Sequence, residues 1–218
     1  NKRNIWYANK KELLEVKGIG ENLSNLILNQ VLRKYVEKHV NFMKKNNIDI
    51  ISIEDKQYPN ILKEIYDPPI CLYIRGNKEI LNNKSISIVG CRKATDYGRK
   101  VARDFAYNIS KQDINIISGL AIGIDSEAHL GAVEANKKTI AVLGNGLDTI
   151  YPKENINLSQ KILDSGGTII SEYPLGTKPK KENFPARNRI ISGMSNGLLV
   201  VEAKEKSGTL ITVDFALE

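Results

Sequence analysis

The sequence predicts an α/β protein, a parallel-sheet domain preceded by a small all-α domain, and three observations carry that prediction. Three apolar runs each break on a glycine and hand over to a helix-like stretch: residues 86–89 before Gly90, 114–117 before Ser118-Gly119, and 140–143 before Gly144-Asn145-Gly146. Buried parallel strands read as continuous apolar runs of this kind. From Lys84 onward strand-like and helix-like segments alternate, the pattern of right-handed crossovers in a parallel sheet. Residues before about 47 read as helical.

Taken in order, Leu13, Leu14 and Val16 precede Gly18-Ile19-Gly20, and one helical stretch is predicted from Glu21 to about Lys45. Leu23, Leu26, Ile27, Val31, Tyr35 and Phe42 fall near helical spacing there. Residues 16–20 followed by a helix resemble the hairpin of helix-hairpin-helix modules, which hold DNA backbone through loop amides; the other reading is a helical scaffold. A boundary is expected near residues 47–58, giving domains 1–50 and 51–218. A short strand is expected at 48–53, then the polar turn 54–59. Asp67-Pro68-Pro69 is a second turn, ahead of a strand at 70–74. After the three glycine-terminated strands come a helix around 157–164, a strand at 168–171, a helix from about Arg187, a strand at 198–201 and a last helix near Thr209.

A chain of 218 residues has room for one full core and one small domain. It opens on Asn1 and stops at Glu218 inside a helix-like run, so both ends look trimmed and a further C-terminal piece is expected. With no stretch of ~20 apolar residues and no signal-peptide pattern, no membrane span is expected. Cys71 and Cys91 lack paired-motif spacing, which suits a reducing compartment and a soluble, cytoplasmic protein. The net charge of +7 is uneven. Residues 1–47 hold ten lysines and arginines against four acids, and the rest holds 22 against 21. A nucleic-acid partner and plain codon bias both produce such a total, so local clusters weigh more.

Glycine lets backbone N–H groups approach a ligand, and helix N-termini favour anions, so the strand-end loops form a candidate phosphate site. A dinucleotide fingerprint needs G-x-G-x-x-G and an acid about 20 residues later. Here Gly90 is followed by Cys91, Arg92, Lys93, Ala94 and Thr95, and the next strand ends without a ribose-binding acid. A Walker lysine is also missing. No cofactor is expected. The candidate phosphate-binding residues are Gly90, Arg92, Lys93 and Thr95 on the first loop, Ser118, Gly119 and Leu120 on the second, and Gly144 on the third. Asp125 is expected to cap the following helix. His129 has no second His or Cys beside it and reads as a structural histidine, not a metal ligand.

The strongest local cluster is residues 178–189, with five cations, one acid and Phe184 among them. Cations tracking phosphates around a ring that stacks on bases describe a single-strand binding surface. Equally, Phe184 packs into the core and Pro185 starts a helix at Arg187. Glu172 and Glu202 follow strands and are the only acid–base candidates. There is no nucleophile elbow and no Cys–His signature.

Together the motifs resemble the DprA/Smf family of bacterial DNA-processing proteins of natural transformation. Those carrying the resemblance begin with Tyr58-Pro59, Asp67-Pro68-Pro69, residues 88–92, Ala94-Thr95 and Tyr97-Gly98. Residues 118–121, 123–125, Ala128-His129, 140–143, 146–148 and Tyr151-Pro152 follow, then 171–174, 184–191 and 207–212. The resemblance spans 58–218 almost continuously, and the N-terminal segment fits the family's SAM-like helical domain more loosely. It implies an extended Rossmann-like domain that binds single-stranded DNA without enzymatic chemistry, protects it, and helps load the RecA recombinase. By the same analogy Arg92 contacts backbone phosphate, while Lys181 and Phe184, with Arg187 and Asn188 beside them, form the basic segment of the site. The family usually has serine where Cys91 stands, a hydroxyl that could hold one phosphate. It dimerises through its Rossmann domain, partly through sequence after the point where this chain ends, so a homodimer is expected of the full-length protein. The alternative class is a nucleotide N-glycosidase resembling the lysine-decarboxylase-like phosphoribohydrolases. Their Pro-Gly-Gly-x-Gly-Thr motif and following glutamate compare with residues 206–212 here, which hold one glycine and no glutamate before Glu218.

Overall fold

The computed structural model describes residues 4–204 and 207–217. The chain divides into two compact units, Asn1–Asn46 and Asn47–Glu218. The first holds α1 (Asn4–Tyr7), α2 (Lys10–Leu14), α3 (Glu21–Leu28) and α4 (Gln30–Lys45). A capping box starts α2: Asn9 Oδ1 accepts from the Glu12 amide at 3.0 Å and Glu12 accepts from the Asn9 amide at 2.8 Å. The single helix expected over 21–45 is interrupted at Asn29. Its backbone turns extended, and its side chain accepts from the Val31 and Leu32 amides, so α4 is capped afresh.

The second unit carries a seven-stranded sheet in the order β1-β2-β6-β5-β4-β3-β7. The strands are β1 (Ile48–Ser52), β2 (Cys71–Gly76), β3 (Ser85–Gly90), β4 (Asn115–Ser118), β5 (Thr139–Leu143), β6 (Thr168–Ser171) and β7 (Leu198–Val201). Because β1 pairs with β2, with Ile50 opposite Tyr73, residues 48–50 belong to this unit and not to the first. The sheet is mixed where a parallel one was expected. β1 and β2 are antiparallel to their neighbours, and the five strands from β6 to β7 are parallel. The connection from β1 to β2, residues 53–70, contains only the 3-10 turn Ile61–Glu64, and parallel pairing needs a long crossover, usually a helix.

Successive side chains on a strand point to opposite faces, which sorts the core into two layers. Val89, Ile117, Ile140, Val142 and Ile170 pack with Ile190, Ile191 and Met194 and with Tyr58 and Leu62. Ile88 and Ile116 pack on the other face against Ala102, Ala106, Ile124, Ala128 and Ala132. Those residues belong to α5 (Asp96–Ser110) and α6 (Ile124–Glu134), and α7 (Ile156–Asp164) lies beside α6. On the opposite face lie α8 (Asn183–Gly193) and α9 (Gly208–Leu217). α8 begins four residues before the expected Arg187. Pro185 is its third residue, where the missing N–H has no intrahelical acceptor to lose. The helices after β3 and β7, adjacent parallel strands, thus leave on opposite faces. Open α/β sheets bind ligands in the crevice this creates at the strands' carboxyl ends.

Candidate nucleic-acid interface

At that crevice lies an open groove of about 580 Å³. The loop after β3 supplies Gly90, Cys91, Arg92 and Lys93, the segment after β7 supplies Lys204, Gly208 and Thr209, and the start of α8 supplies Lys181, Phe184, Arg187 and Asn188. Gly119 opens onto an adjoining cleft of about 60 Å³ shared with Arg92, Phe184 and Arg187. The structure places Thr95, Ser118, Leu120 and Gly144 outside both.

Arg92, Lys93 and Lys181 are exposed and, among the described residues, form no ion pair. Phe184 is half-buried and stacks on Tyr151 with ring centroids 5.5 Å apart and planes 30° from parallel. The Arg92 guanidinium stands 5.5 Å from the Phe184 centroid. Phe184 packs on Tyr151 and lies against Gly144, and it also lines the groove. An aromatic pair flanked by unpaired cations offers π-face and positive charge together. Sequence reasoning passed over Tyr151 and Lys204 as groove residues. An aromatic placed before proline in the loop after a glycine-ended strand was the one available signal for Tyr151.

Arg187 lies underneath, 5 % exposed. Its Nη1 donates to the Gly119 carbonyl at 2.7 Å and to the Val142 carbonyl, and its Nε donates to Asn188 Oδ1 at 3.2 Å. Burial pushes its pKa down to about 10, with Asp125 offsetting part of that cost, so it stays cationic at neutral pH. A Cβ on Gly119 would fall 2.5 Å from the guanidinium, so this glycine makes room for Arg187. Gly90 likewise lets β3 approach β7, since its Cβ would meet the Val201 carbonyl at 2.0 Å. Gly144 seats α8: its carbonyl accepts from Asn183 Nδ2 at 3.0 Å, and a Cβ would press on the Phe184 ring.

Other side chains expected to meet phosphate are engaged by the protein itself. Ser118 Oγ donates to the Ile88 carbonyl at 2.6 Å, and the Leu120 side chain is fully buried. The Thr95 hydroxyl caps α5 by accepting from the Gly98 amide, while donating to Glu202 at 3.0 Å. Asp125 does not cap α6, whose N-cap is Gly123. It is buried in the helix's first turn, and its Oδ2 accepts from the Gly119 and Ala121 amides at 3.2 and 3.3 Å. Burial pushes its pKa up, against the pull of Arg187. His129 is fully buried with Nδ1 2.8 Å from Thr139 Oγ1. That hydroxyl donates onward to the Ile116 carbonyl, so Nδ1 is the protonated nitrogen. Burial, and then Arg187, push the His129 pKa down to about 3. Burial and the Glu202 carboxylate push the Cys91 thiol up.

Both acid–base candidates have structural partners. Glu172 receives two hydrogen bonds from Arg189, at 2.7 and 2.6 Å, and Arg189 also reaches Asp67. Glu202 holds the Thr95 amide and hydroxyl. In the 206–212 stretch compared with the glycosidases, Lys206 lies outside the described residues, as does Glu218.

Fold and groove together define an open, Rossmann-like α/β domain whose switch-point crevice carries cations and stacked rings in place of a dinucleotide fingerprint. Residues 49–218 match the family described as DNA recombination-mediator protein A, and the chain belongs to that family, which includes the DprA and Smf proteins. It is 41% identical to Protein Smf of Synechocystis over 223 residues, covering 99% of this chain and 55% of that protein. It is similar to the crystal structure of DNA processing protein A from Streptococcus pneumoniae (TM-score 0.74, 37% identity, 90% of this chain and 70% of that one). It is also similar to DNA processing protein A from Helicobacter pylori, described for its single-stranded DNA binding mode (TM-score 0.69, 31% identity, 77% and 76% covered). The chain spans about half the length of the curated relatives it matches. No described helix is long and apolar enough to cross a membrane.

Proposed function

We propose that this chain binds single-stranded DNA in the groove between the β3, β7 and α8 ends, as a binding protein and not an enzyme. One observation carries the reading: unpaired Arg92, Lys93 and Lys181 surround a half-exposed Phe184–Tyr151 stack in a single cleft. The cations take phosphates and release counterions, while the ring face takes a base without regard to sequence. The single-stranded DNA binding mode described for the Helicobacter pylori relative supports the same ligand. Arg187 contributes from below by holding the loops, and Cys91 gives the groove a neutral thiol where the family usually has a hydroxyl. In the whole protein we extend the reading to protection of the strand, loading of the RecA recombinase during natural transformation, homodimerisation, and a cytoplasmic location. These parts rest on the family resemblance.

Titration of fluorescent oligonucleotides, single- and double-stranded, at two salt concentrations tests the ligand class. Strong preference for the single strand is expected, with affinity falling as salt rises. Equal binding of both forms would reduce the groove to generic positive charge. Incubation with nucleoside monophosphates is the control for the N-glycosidase alternative, which release of free base would favour.

A further inference from the structure

We infer that Glu202 is a positioning residue that sets the geometry of Arg92 in the groove, an inference that rests on the groove being the DNA site. The residue sits just past β7 with φ of +57°, a left-handed conformation uncommon for a side chain of this size. Its backbone carbonyl accepts from the Cys91 amide at 2.9 Å. Its carboxylate turns toward the far end of the same loop, accepting from the Thr95 amide at 3.1 and 2.9 Å and from the Thr95 hydroxyl at 3.0 Å. Gly98 leaves the space that makes this possible, since a Cβ there would stand 2.0 Å from Glu202 Oε2. One residue thus clamps both ends of the 91–95 loop, and Arg92 and Lys93 project from between the clamped points. The chain running on from Glu202 provides the opposite wall at Lys204 and Gly208. The clamp therefore fixes one wall against the other. It also occupies the anion position at the start of α5 with the protein's own carboxylate, which leaves DNA phosphates to the flanking cations.

The sign of the effect distinguishes this role from that of an ordinary surface acid. A carboxylate beside a groove for a polyanion repels it, so neutralising a bystander strengthens binding. Neutralising a positioning residue weakens binding, because Arg92 loses its alignment. Glu202→Gln keeps the volume but replaces one accepting oxygen with a donor facing Thr95. It is expected to bind single-stranded oligonucleotide roughly fivefold more weakly than the parent chain, an order-of-magnitude expectation for a lost charge-assisted contact felt at one remove. Thr95→Val removes the hydroxyl donor from the other side and is expected to act in the same direction. The double variant Glu202→Gln/Arg92→Ala should bind no more weakly than Arg92→Ala alone, a coupling that general loosening of the fold would not produce. Thermal melts accompany each titration, and Thr95→Val decides the matter if Glu202→Gln does not fold. If Arg92→Ala weakens binding while Glu202→Gln and Thr95→Val strengthen it or leave it unchanged, the positioning role is overturned and the groove stands. If Arg92→Ala itself has no effect, the groove reading falls and the inference falls with it.

Discussion

Replacing Arg187 with alanine separates a phosphate ligand from a structural tie. The guanidinium is 5 % exposed and donates to two backbone carbonyls on different strand ends, Gly119 and Val142, with Asp125 as its nearby counter-charge. Truncation leaves both carbonyls without this donor and a buried carboxyl without its cation, and removing one member of such a pair costs about 3–5 kcal/mol. For a domain of this size, about 4 kcal/mol lowers the melting midpoint by roughly 8–16 °C. Thermal unfolding followed by circular dichroism at neutral pH checks this figure. DNA binding by the surviving folded fraction should weaken through disorder of the loops, with the number of released counterions little changed. A melting midpoint within about 2 °C of the parent, together with a salt slope lowered by about 0.7, would refute the reasoning and return Arg187 to the phosphate ligands.

Arg92→Ala and Lys181→Ala should each weaken single-strand binding and reduce its log–log salt slope by about 0.7, measured by anisotropy titration across salt concentrations, with melting unchanged. Phe184→Ala should cost about 1–3 kcal/mol of binding if a base stacks there, and Phe184→Tyr should retain most of it; equal affinities for Phe184→Ala and the parent would remove the stacking platform. Arg189→Ala breaks the bidentate pair with Glu172, and at this partial burial should cost about 2 kcal/mol of stability while leaving the salt slope as it was, since neither residue lines the groove. His129 titrates near 3 when folded and near 6.5 when unfolded, so below pH 6.5 the unfolded chain takes up a proton that the folded chain refuses. Its contribution is fully present above 6.5 and is lost as pH falls, reaching roughly 3 kcal/mol by pH 4; denaturant titrations should show a shallower pH dependence in His129→Gln, and an identical slope would contradict the assignment.

The strand ends were legible because an apolar run broken by glycine has few other uses, and β3, β4 and β5 lie where those runs stand. What the glycines are for was not legible. Gly90 and Gly119 read as places for a ligand, yet the atoms crowding them are the Val201 carbonyl and the Arg187 guanidinium, 111 and 68 positions away along the chain and adjacent only once it has folded. Arg187 itself is indistinguishable in sequence from Lys181, six residues earlier in the same basic run. Only the seating of α8 on Gly144 turns one toward solvent and the other under the loops. The break at Asn29 escaped notice because a side chain imitating the next helical acceptor leaves the apolar spacing on either side intact.

The layering of cations above Arg187 has a consequence for how such a surface can change over generations. Arg92, Lys93 and Lys181 stand on exposed positions where single substitutions typically move stability by less than about 0.5 kcal/mol. The tie beneath them tolerates almost nothing, because its donors, its glycine and its counter-charge must change together. Number and spacing of surface charges are therefore free to drift toward tighter or looser grip on a polyanion, with the scaffold indifferent to the outcome. On the proposed function, grip on the polyanion rests mainly on the exposed cations and integrity of the fold on the buried tie beneath them.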